Sequence, residues 1–239
     1  MGIHYYPLIN KIVKGLNLKD KSFLPAELSI EESFVKPYIT VSREPGSGGA
    51  PIARLVAEKL GFNLVDEQIV REIAKSTKKR KEVIRAIDEK KRSAIDDMVQ
   101  SLLNEDYVDD LKYVSELVRV LLVYAHQGHC VLLGRGANFV TPFAHGLHVR
   151  ITAPYQVRVQ RSIDYEGYTK QQAKKRIAEV EKERREFVKQ YFNKNMTKSN
   201  SYDLTINTTA FDIEDSRDVI IKAFCHKFKR MDRYLALLK

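Results

Sequence analysis

Hydrophobic and polar residues along this chain form two kinds of pattern, one typical of buried strands and one typical of helices, and the two alternate. Short apolar runs rich in β-branched residues predict buried strands at 38–42, 62–65, 129–133, 147–152 and 203–207. Apolar residues at three- and four-residue spacing predict helices at about 51–60, 169–191 and 212–228. Strands separated by helices favour an α/β fold in which helices cover a mainly parallel sheet.

The segment 67–127 differs from the rest of the chain because it contains no glycine and no proline. Helical spacing continues throughout it, which predicts an all-helical insertion of about three helices. The expected organisation is an N-terminal extension at 1–37, a core formed by 38–66 together with 128–239, and the insertion between the two halves of the core. Within the extension, residues 9–16 have the spacing of a short amphipathic helix.

A glycine-rich loop joins the first predicted strand to the first predicted helix. Gly46, Gly48 and Gly49 can adopt positive φ and, together with Ser47, can point successive N–H groups inward. The N-terminus of the following helix adds partial positive charge, so the sequence predicts a phosphate-binding site here. A strand-to-helix turn that binds no ligand is the alternative.

This loop departs from the usual phosphate-binding pattern, G-x-x-x-x-G-K-[ST]. Depending on the register, the lysine position holds Gly49 or Ala50, and no Ser or Thr follows it to bind magnesium. The cation that neutralises the phosphates must therefore come from elsewhere. Arg43, at the loop entrance, is the nearest candidate in the sequence.

Two further polar segments directly follow predicted strands, namely Asp66 and Gly134-Arg135-Gly136. Ligands of parallel sheets bind at the carboxyl ends of the strands, so both segments are expected beside the glycine loop. The flanking glycines would let Arg135 approach an anionic ligand closely, although a surface arginine is the alternative. Asp66 has three open roles: it accepts from a substrate hydroxyl, it helps to organise magnesium, or it only caps the next helix.

The chain carries 41 Lys and Arg against 31 Asp and Glu, a formal charge of +10. This excess favours polyanionic ligands, either nucleotides or nucleic acid, and a solvated lysine surface is the other interpretation. The basic run at 78–92 most simply covers a solvated face. The six histidines show no metal-ligand spacing, and the isolated Cys130 and Cys225 suggest reduced core residues.

No apolar run approaches the roughly 18 residues of a membrane span, and the N-terminus lacks the apolar core of a signal peptide. We therefore expect a cytoplasmic protein with no membrane contact.

Several of these segments resemble the cytidylate kinase-like family. The resemblance begins with Ile-Thr-Val-Ser-Arg-Glu-Pro-Gly-Ser-Gly-Gly at 39–49, since members commonly carry an SRE-x-GSGG loop in place of the lysine-bearing one. It continues through Ala-Glu-Lys-Leu-Gly-Phe, Val-Asp-Glu, Leu-Gly-Arg-Gly, Leu-His-Val-Arg-Ile-Thr-Ala-Pro and Tyr-Asp-Leu-Thr-Ile-Asn-Thr, which begin at positions 57, 65, 133, 147 and 202. It covers roughly 38–225, and 67–127 is its weakest part.

The resemblance implies a P-loop nucleoside monophosphate kinase fold with a core, an acceptor-binding insertion at 67–127 and a helical lid near 169–195. It also implies ATP and Mg²⁺ as cofactors, with the loop at 43–49 holding the ATP phosphates. Arg135 matches the arginine that grips the acceptor monophosphate in cytidylate kinases. The aspartate that follows this arginine in those enzymes is Gly136 here, so the resemblance supports the fold and nucleotide binding better than it supports CMP as the acceptor.

Basic residues on two predicted helices complete the expected site. Arg158 and Arg161 occupy positions where such kinases place basic residues near the nucleotide, and a structural salt bridge is the alternative for this pair. The lid helix carries three further cations: Lys182, Arg184 and Arg185. Phosphoryl transfer depends on positioning and on neutralising the transferred group, so the candidate catalytic cations are Arg43, Arg184 and Arg185.

The sequence thus predicts an ATP-dependent phosphotransferase acting on a nucleotide or a similar small phosphorylated acceptor. The first rival is a nucleotide-binding regulator without turnover, because the loop lysine is missing. The second is a nucleic-acid-binding protein that uses the 78–92 run. The sequence specifies neither the acceptor, the magnesium ligands nor the oligomeric state.

Overall fold

The computed structural model describes residues 36–85, 89–103 and 111–228. The helix predicted at 9–16 lies outside the described residues, as does nearly all of the extension.

The described residues form one sheet of five parallel strands in the order β2-β3-β1-β4-β5. The strands are β1 (Tyr38–Arg43), β2 (Asn63–Val65), β3 (Cys130–Leu133), β4 (Gly146–Thr152) and β5 (Leu204–Asn207). Val41 of β1 aligns with Leu133 of β3 and with Val149 of β4, so the carboxyl ends of these strands meet at one edge. The predicted α/β fold with a mainly parallel sheet is confirmed.

Helices lie between the strands over the whole described part of the chain. They are α1 (Gly49–Leu60), α2 (Glu67–Lys75), α3 (Thr77–Arg85), α4 (Glu89–Leu102), α5 (Leu111–Gln127), α6 (Ala137–Val140), α7 (Tyr155–Glu166), α8 (Lys170–Phe192) and α9 (Ile213–Lys227). None of these helices is both long enough and apolar enough to cross a membrane.

The sheet is buried on both faces, as its continuous apolar strands require. On one face, Ile39 and Val41 of β1 pack with Ile52 of α1 and Phe224 of α9 in a single apolar cluster. The opposite face packs against the insertion helices and the C-terminal end of α8, in a cluster that includes Leu132 of β3. The end of α8 is thereby anchored to the core, which positions the rest of this helix above the strand ends.

The insertion contains four helices within the described residues, α2 to α5, where the sequence predicts about three. Ser76 makes the additional boundary, because it ends α2 in an extended conformation and its hydroxyl accepts from the N–H of Lys79 at 3.3 Å. A serine that bonds to a nearby backbone N–H in this way interrupts a helix without help from glycine or proline. Apolar spacing alone does not reveal such a boundary.

The predicted helix starts at Thr169 and Asp212 are confirmed. Thr169 accepts from the N–H of Gln172, whose side chain in turn accepts from the N–H of Thr169, so the capping box is complete. Asp212 accepts from the N–H of Asp215 at 2.7 Å. These caps fix where α8 and α9 begin, and both helices border the site described next.

Candidate active site

The glycine loop opens onto a cleft of about 720 Å³. Gly48 has a φ of 80° and is the N-cap of α1, where no side chain bonds to the first N–H groups of the helix. The first turn of α1 carries no acidic residue, so nothing there opposes the partial positive charge of the helix end. The loop can therefore offer backbone N–H groups to an anion in the cleft.

Glu44 and Arg158 hold the glycine loop in place. The Glu44 carboxylate accepts from Arg150 at 3.1 Å and from the N–H of Ala153 at 3.2 Å, which ties the loop to β4. Arg158 is only 8% exposed, and it donates to Glu181 of α8 at 2.6 Å and to the carbonyl of Pro45 at 3.4 Å. Of the two roles that the sequence leaves open for Arg158, the structure shows the salt bridge.

Arg161 connects the same loop to the end of β5. Its guanidinium donates to the hydroxyl and to the carbonyl of Thr208, both at 2.7 Å, and to the carbonyl of Ser47 at 3.4 Å. The buried Ser47 directs its own hydroxyl to the carbonyl of Glu44 at 2.8 Å. Both residues border the cleft, but in this structure their polar groups stabilise the loop.

A second, smaller cavity of about 130 Å³ lies beside the cleft, at the carboxyl ends of β1 and β3. Helix α8 forms one wall, and the turn at 134–136 forms another. The charged residues that line it are Arg43, Glu67, Arg135, Arg176, Glu183 and Arg184. Arginine predominates over carboxylate, so the cavity is suited to an anion.

Glu67, the first residue of α2, is at the centre of this charge cluster. It pairs with Arg135, with Arg71 at 2.8 Å and with Arg43 at 3.4 Å. Burial opposes the ionisation of Glu67, but Arg135, Arg43, Arg184 and Arg71 outweigh it and hold the pKa of this carboxyl below its ordinary value.

Glu67 is the main residue that sequence reasoning missed. Its one signal is its place directly after Asp66, at the end of β2. Asp66 itself accepts from the N–H of Ile69 at 2.9 Å and so caps α2, and it lines neither the cleft nor the smaller cavity. Among the roles left open for Asp66, the structure shows the cap.

Arg43 does not point its guanidinium at the glycine loop, as a substitute for the loop lysine would. Its stem passes close to Gly49, and its guanidinium lies against the backbone of Gly134 and pairs with Glu67. Arg43 borders both cavities, but its charged end is on the side of the smaller one. Burial lowers its pKa, and pairing with Glu67 opposes that change.

Helix α8 brings one face of cationic residues to both cavities. Arg176, Val180 and Arg184 lie four residues apart, and all three border the cleft and the smaller cavity. Arg184 donates to the carbonyl of Arg43 at 2.8 Å, and burial, with Arg43 nearby, lowers its pKa to about 10. Arg176 lies eight residues before Arg184, two steps of four along the same helix face, and this spacing is the signal that would have identified it.

The other two cations predicted for a lid, Lys182 and Arg185, do not border these two cavities in this structure. Lys182 is 75% exposed and pairs with Glu186 at 3.8 Å on its own helix. Arg185 is exposed as well, and neither residue lines the cleft or the smaller cavity. Because of the helix period, Lys182 and Arg185 lie on a different face of α8 from Arg184, so they do not line the cavities that Arg184 lines.

Carboxylates do not gather into a metal site here. Across 36–85, 89–103 and 111–228, no three His, Cys, Asp or Glu side chains lie close enough together to bind a metal ion. Glu44, the carboxylate of the glycine loop, is paired with Arg150.

In this parallel sheet, the first strand leads through a glycine loop into a helix at the carboxyl edge. This is the arrangement of a P-loop-like α/β fold, here without the loop lysine. The sequence model of the cytidylate kinase-like family matches residues 38–210 of this chain, so the chain belongs to that family.

Archaeal proteins are among its relatives. The chain is 31% identical over 200 residues to the cytidylate kinase of Methanopyrus kandleri, a match that covers 79% of this chain and 93% of that protein. It is 27% identical over 191 residues to the cytidylate kinase of Methanocaldococcus jannaschii, covering 77% and 96%. These homologues support a kinase-like enzyme of the nucleoside monophosphate type.

The crystal structure of an uncharacterised protein from Eubacterium ventriosum has the same fold. The two chains superpose with a TM-score of 0.61 at 20% identity, over 79% of this chain and 97% of that one.

Proposed function

We propose that this protein is an ATP-dependent phosphotransferase that transfers the γ-phosphate of ATP to a nucleoside monophosphate or a similar small phosphorylated acceptor. The observation that carries the proposal is the pair of adjoining cavities at one sheet edge, which share Arg43, Arg176 and Arg184. A reaction between two phosphorylated substrates needs two anion sites side by side, with cations at their junction.

The larger cleft is the proposed donor site. The ATP phosphates would bind the N–H groups of the glycine loop at the start of α1. At the cleft, Tyr165 is 84% exposed and Phe211 is 44% exposed. Exposed aromatic rings of this kind can stack on a nucleobase, so these two residues are candidates for holding the base.

The smaller cavity is the proposed site of the acceptor phosphate. Arg135 enters it from the turn after β3, where its own φ of 51° and the positive φ of Gly134 bring the backbone close to the cavity. A planar guanidinium matches two oxygens of a phosphate, and Arg43 lies on the same side. The acceptor phosphate would then face the donor phosphates across the shared arginines.

The chemistry asks little of the protein beyond positioning and charge neutralisation. Arg184 and Arg176 are placed to neutralise the transferring group, because they border both cavities. They would thereby compensate for the missing loop lysine. ATP would enter as its magnesium complex, and α8 covers the junction so that the transferred group meets the acceptor and not water. The proposal places the enzyme in the cytoplasm, where these substrates occur.

A coupled assay of ADP release tests the proposal. Purified protein with ATP and Mg²⁺ should release ADP only when an acceptor is added, with one preferred acceptor in a panel of CMP, dCMP, UMP, AMP and GMP. A reaction without acceptor measures simple ATP hydrolysis and serves as the control. Tight ATP binding by calorimetry without acceptor-dependent ADP release would instead support the nucleotide-binding regulator.

A further inference from the structure

The smaller cavity already contains an anionic group from the protein itself. The carboxylate of Glu67 pairs with Arg135, Arg43 and Arg71, and Arg184 acts on it through space. Four guanidinium groups thus surround one carboxylate. Glu67 and Glu183, the two carboxylates that line the cavity, do not neutralise its arginines, so the cavity can still attract a ligand of higher negative charge.

Burial explains why the cluster needs an anion even when no substrate is present. The side chains of Arg135 and Arg43 are only 12% and 13% exposed. Buried like charges at close range are costly unless an opposite charge lies between them. Glu67 supplies that charge and keeps both guanidinium groups at the cavity.

The contact with Glu67 leaves hydrogen-bonding capacity unused at Arg135. Its Nε is buried and has no hydrogen-bond partner within the described part of the chain. A carboxylate offers two oxygens, and Glu67 divides its two among three arginines. A phosphate offers three oxygens with more negative charge, so it can satisfy Arg135 more completely.

Glu67 also has a partner to keep if it leaves the cavity. Arg71 lies four residues further along α2, pairs with Glu67 at 2.8 Å and is 46% exposed. The side chain of Glu67 is itself 30% exposed. If Glu67 rotated toward Arg71 and solvent, its carboxylate would therefore keep a cationic partner and would not be buried without one.

We propose that Glu67 is a built-in counter-ion that occupies the position of the acceptor's phosphate and must be displaced from Arg135 and Arg43 when the acceptor binds. Glu67 thereby lowers the affinity of the empty site for any anion and holds its arginines ready. This assignment rests on the proposed function in one respect, namely that the anion is the phosphate of an acceptor.

The first test measures anion binding by calorimetry, with CMP and with inorganic phosphate as probes. Glu67→Gln removes the competing charge with little change in shape, so both probes should bind at least about tenfold more tightly than to the wild type. Glu72→Gln is the matched control, because Glu72 lies on the same helix and pairs with Lys79 outside the cluster. Its affinity should stay within about twofold of the wild type.

The direction of the change decides the outcome. Equal or weaker binding in Glu67→Gln would mean that Glu67 only positions the arginines, which overturns the proposal. The double variant Glu67→Gln with Arg135→Gln should lose the gain in affinity. A gain that survives in the double variant would assign the anion to another site, such as the glycine loop, and would also contradict the proposal.

A crystal structure of the wild-type protein with CMP or phosphate provides a second measurement that does not depend on a variant's folding. The guanidinium of Arg135 should then face the phosphate, with Glu67 turned toward Arg71. A phosphate bound at Arg135 with the Glu67 contact intact would refute displacement.

These results are separable from those of the proposed function. Tighter binding in Glu67→Gln without any ADP release from the wild type would contradict the proposed function alone. Acceptor-dependent ADP release with unchanged probe affinity in Glu67→Gln would contradict only the role of Glu67.

Discussion

At the scale of single residues, two glycines decide where charge can lie in the site. Gly134 has a φ of 84°, and a side chain there would overlap the guanidinium of Arg43. Because Gly134 has no side chain, Arg43 can lie flat against the backbone there and reach Glu67. Gly48 has a φ of 80°, which only glycine adopts at little cost, and it begins α1 at the cleft.

Gly48→Ala should reduce ATP affinity by more than it reduces stability. The new Cβ would meet only Ile52 Cδ1, at 3.9 Å, so its cost of roughly 1–2 kcal/mol comes from the left-handed backbone. Relaxation of that strain would turn the N–H groups away from the phosphates. Calorimetric titration with ATP and urea unfolding measure the two effects.

Gly61→Ala is the matched control for this change. Gly61 has a φ of 64°, ends the same helix and has no atom within 4 Å of its would-be Cβ. Both variants should lose similar stability, while only Gly48→Ala should lose ATP affinity. Equal ATP affinity in the two variants would show that the loop does not bind phosphate.

At the scale of elements, helix α8 connects the two cavities, and its period selects the residues that do so. Its C-terminal end packs in the core through Val188 and Phe192, while Glu181 pairs with Arg158 of α7. These contacts fix the rotation of α8 about its axis, so Arg176 and Arg184 face the site and Lys182 faces solvent.

Arg176→Gln should therefore impair catalysis, and Lys182→Gln should not. Loss of one charge-assisted contact to phosphate costs roughly 1.5–3 kcal/mol, which corresponds to a fall in kcat/KM of about 10- to 150-fold. Both variants remove one positive charge from α8, so any general effect of charge is the same in each. Steady-state kinetics with the preferred acceptor measure kcat/KM for both variants. An equal fall in kcat/KM in the two would contradict this orientation of α8.

At the scale of the whole molecule, the sequence revealed those parts of the fold that depend on local pattern. Five strands, the capping box of Thr169 and the meeting of polar segments at one sheet edge all follow from period and strand ends. Contacts between distant segments do not follow from local pattern. Glu67 and Arg135 are 68 positions apart, and Arg158 meets Glu181 only because α7 and α8 pack together.

A buried histidine gives the whole molecule a predictable response to acid. His148 of β4 is fully buried, and its Nδ1 lies 2.8 Å from the hydroxyl of Thr40. Burial, together with the nearby Lys227, lowers the pKa of His148 from its ordinary value of 6.5 to about 3. The folded protein therefore keeps this ring neutral at pH values where the unfolded chain protonates it.

This difference should make stability fall as the pH drops below about 6.5. Between the unfolded pKa of 6.5 and the folded pKa of about 3, the unfolded state binds one more proton at this ring than the folded state does. The free energy of unfolding then decreases by about 1.4 kcal/mol per pH unit, or about 2 kcal/mol by pH 5. His148→Gln cannot titrate and keeps a polar partner for Thr40, so its unfolding free energy should start lower at pH 7 but change less between pH 7 and pH 5. Urea unfolding of both proteins at steps of half a pH unit measures how the unfolding free energy of each changes with pH. Equal slopes for the two proteins would show that His148 is protonated or solvated in the folded state.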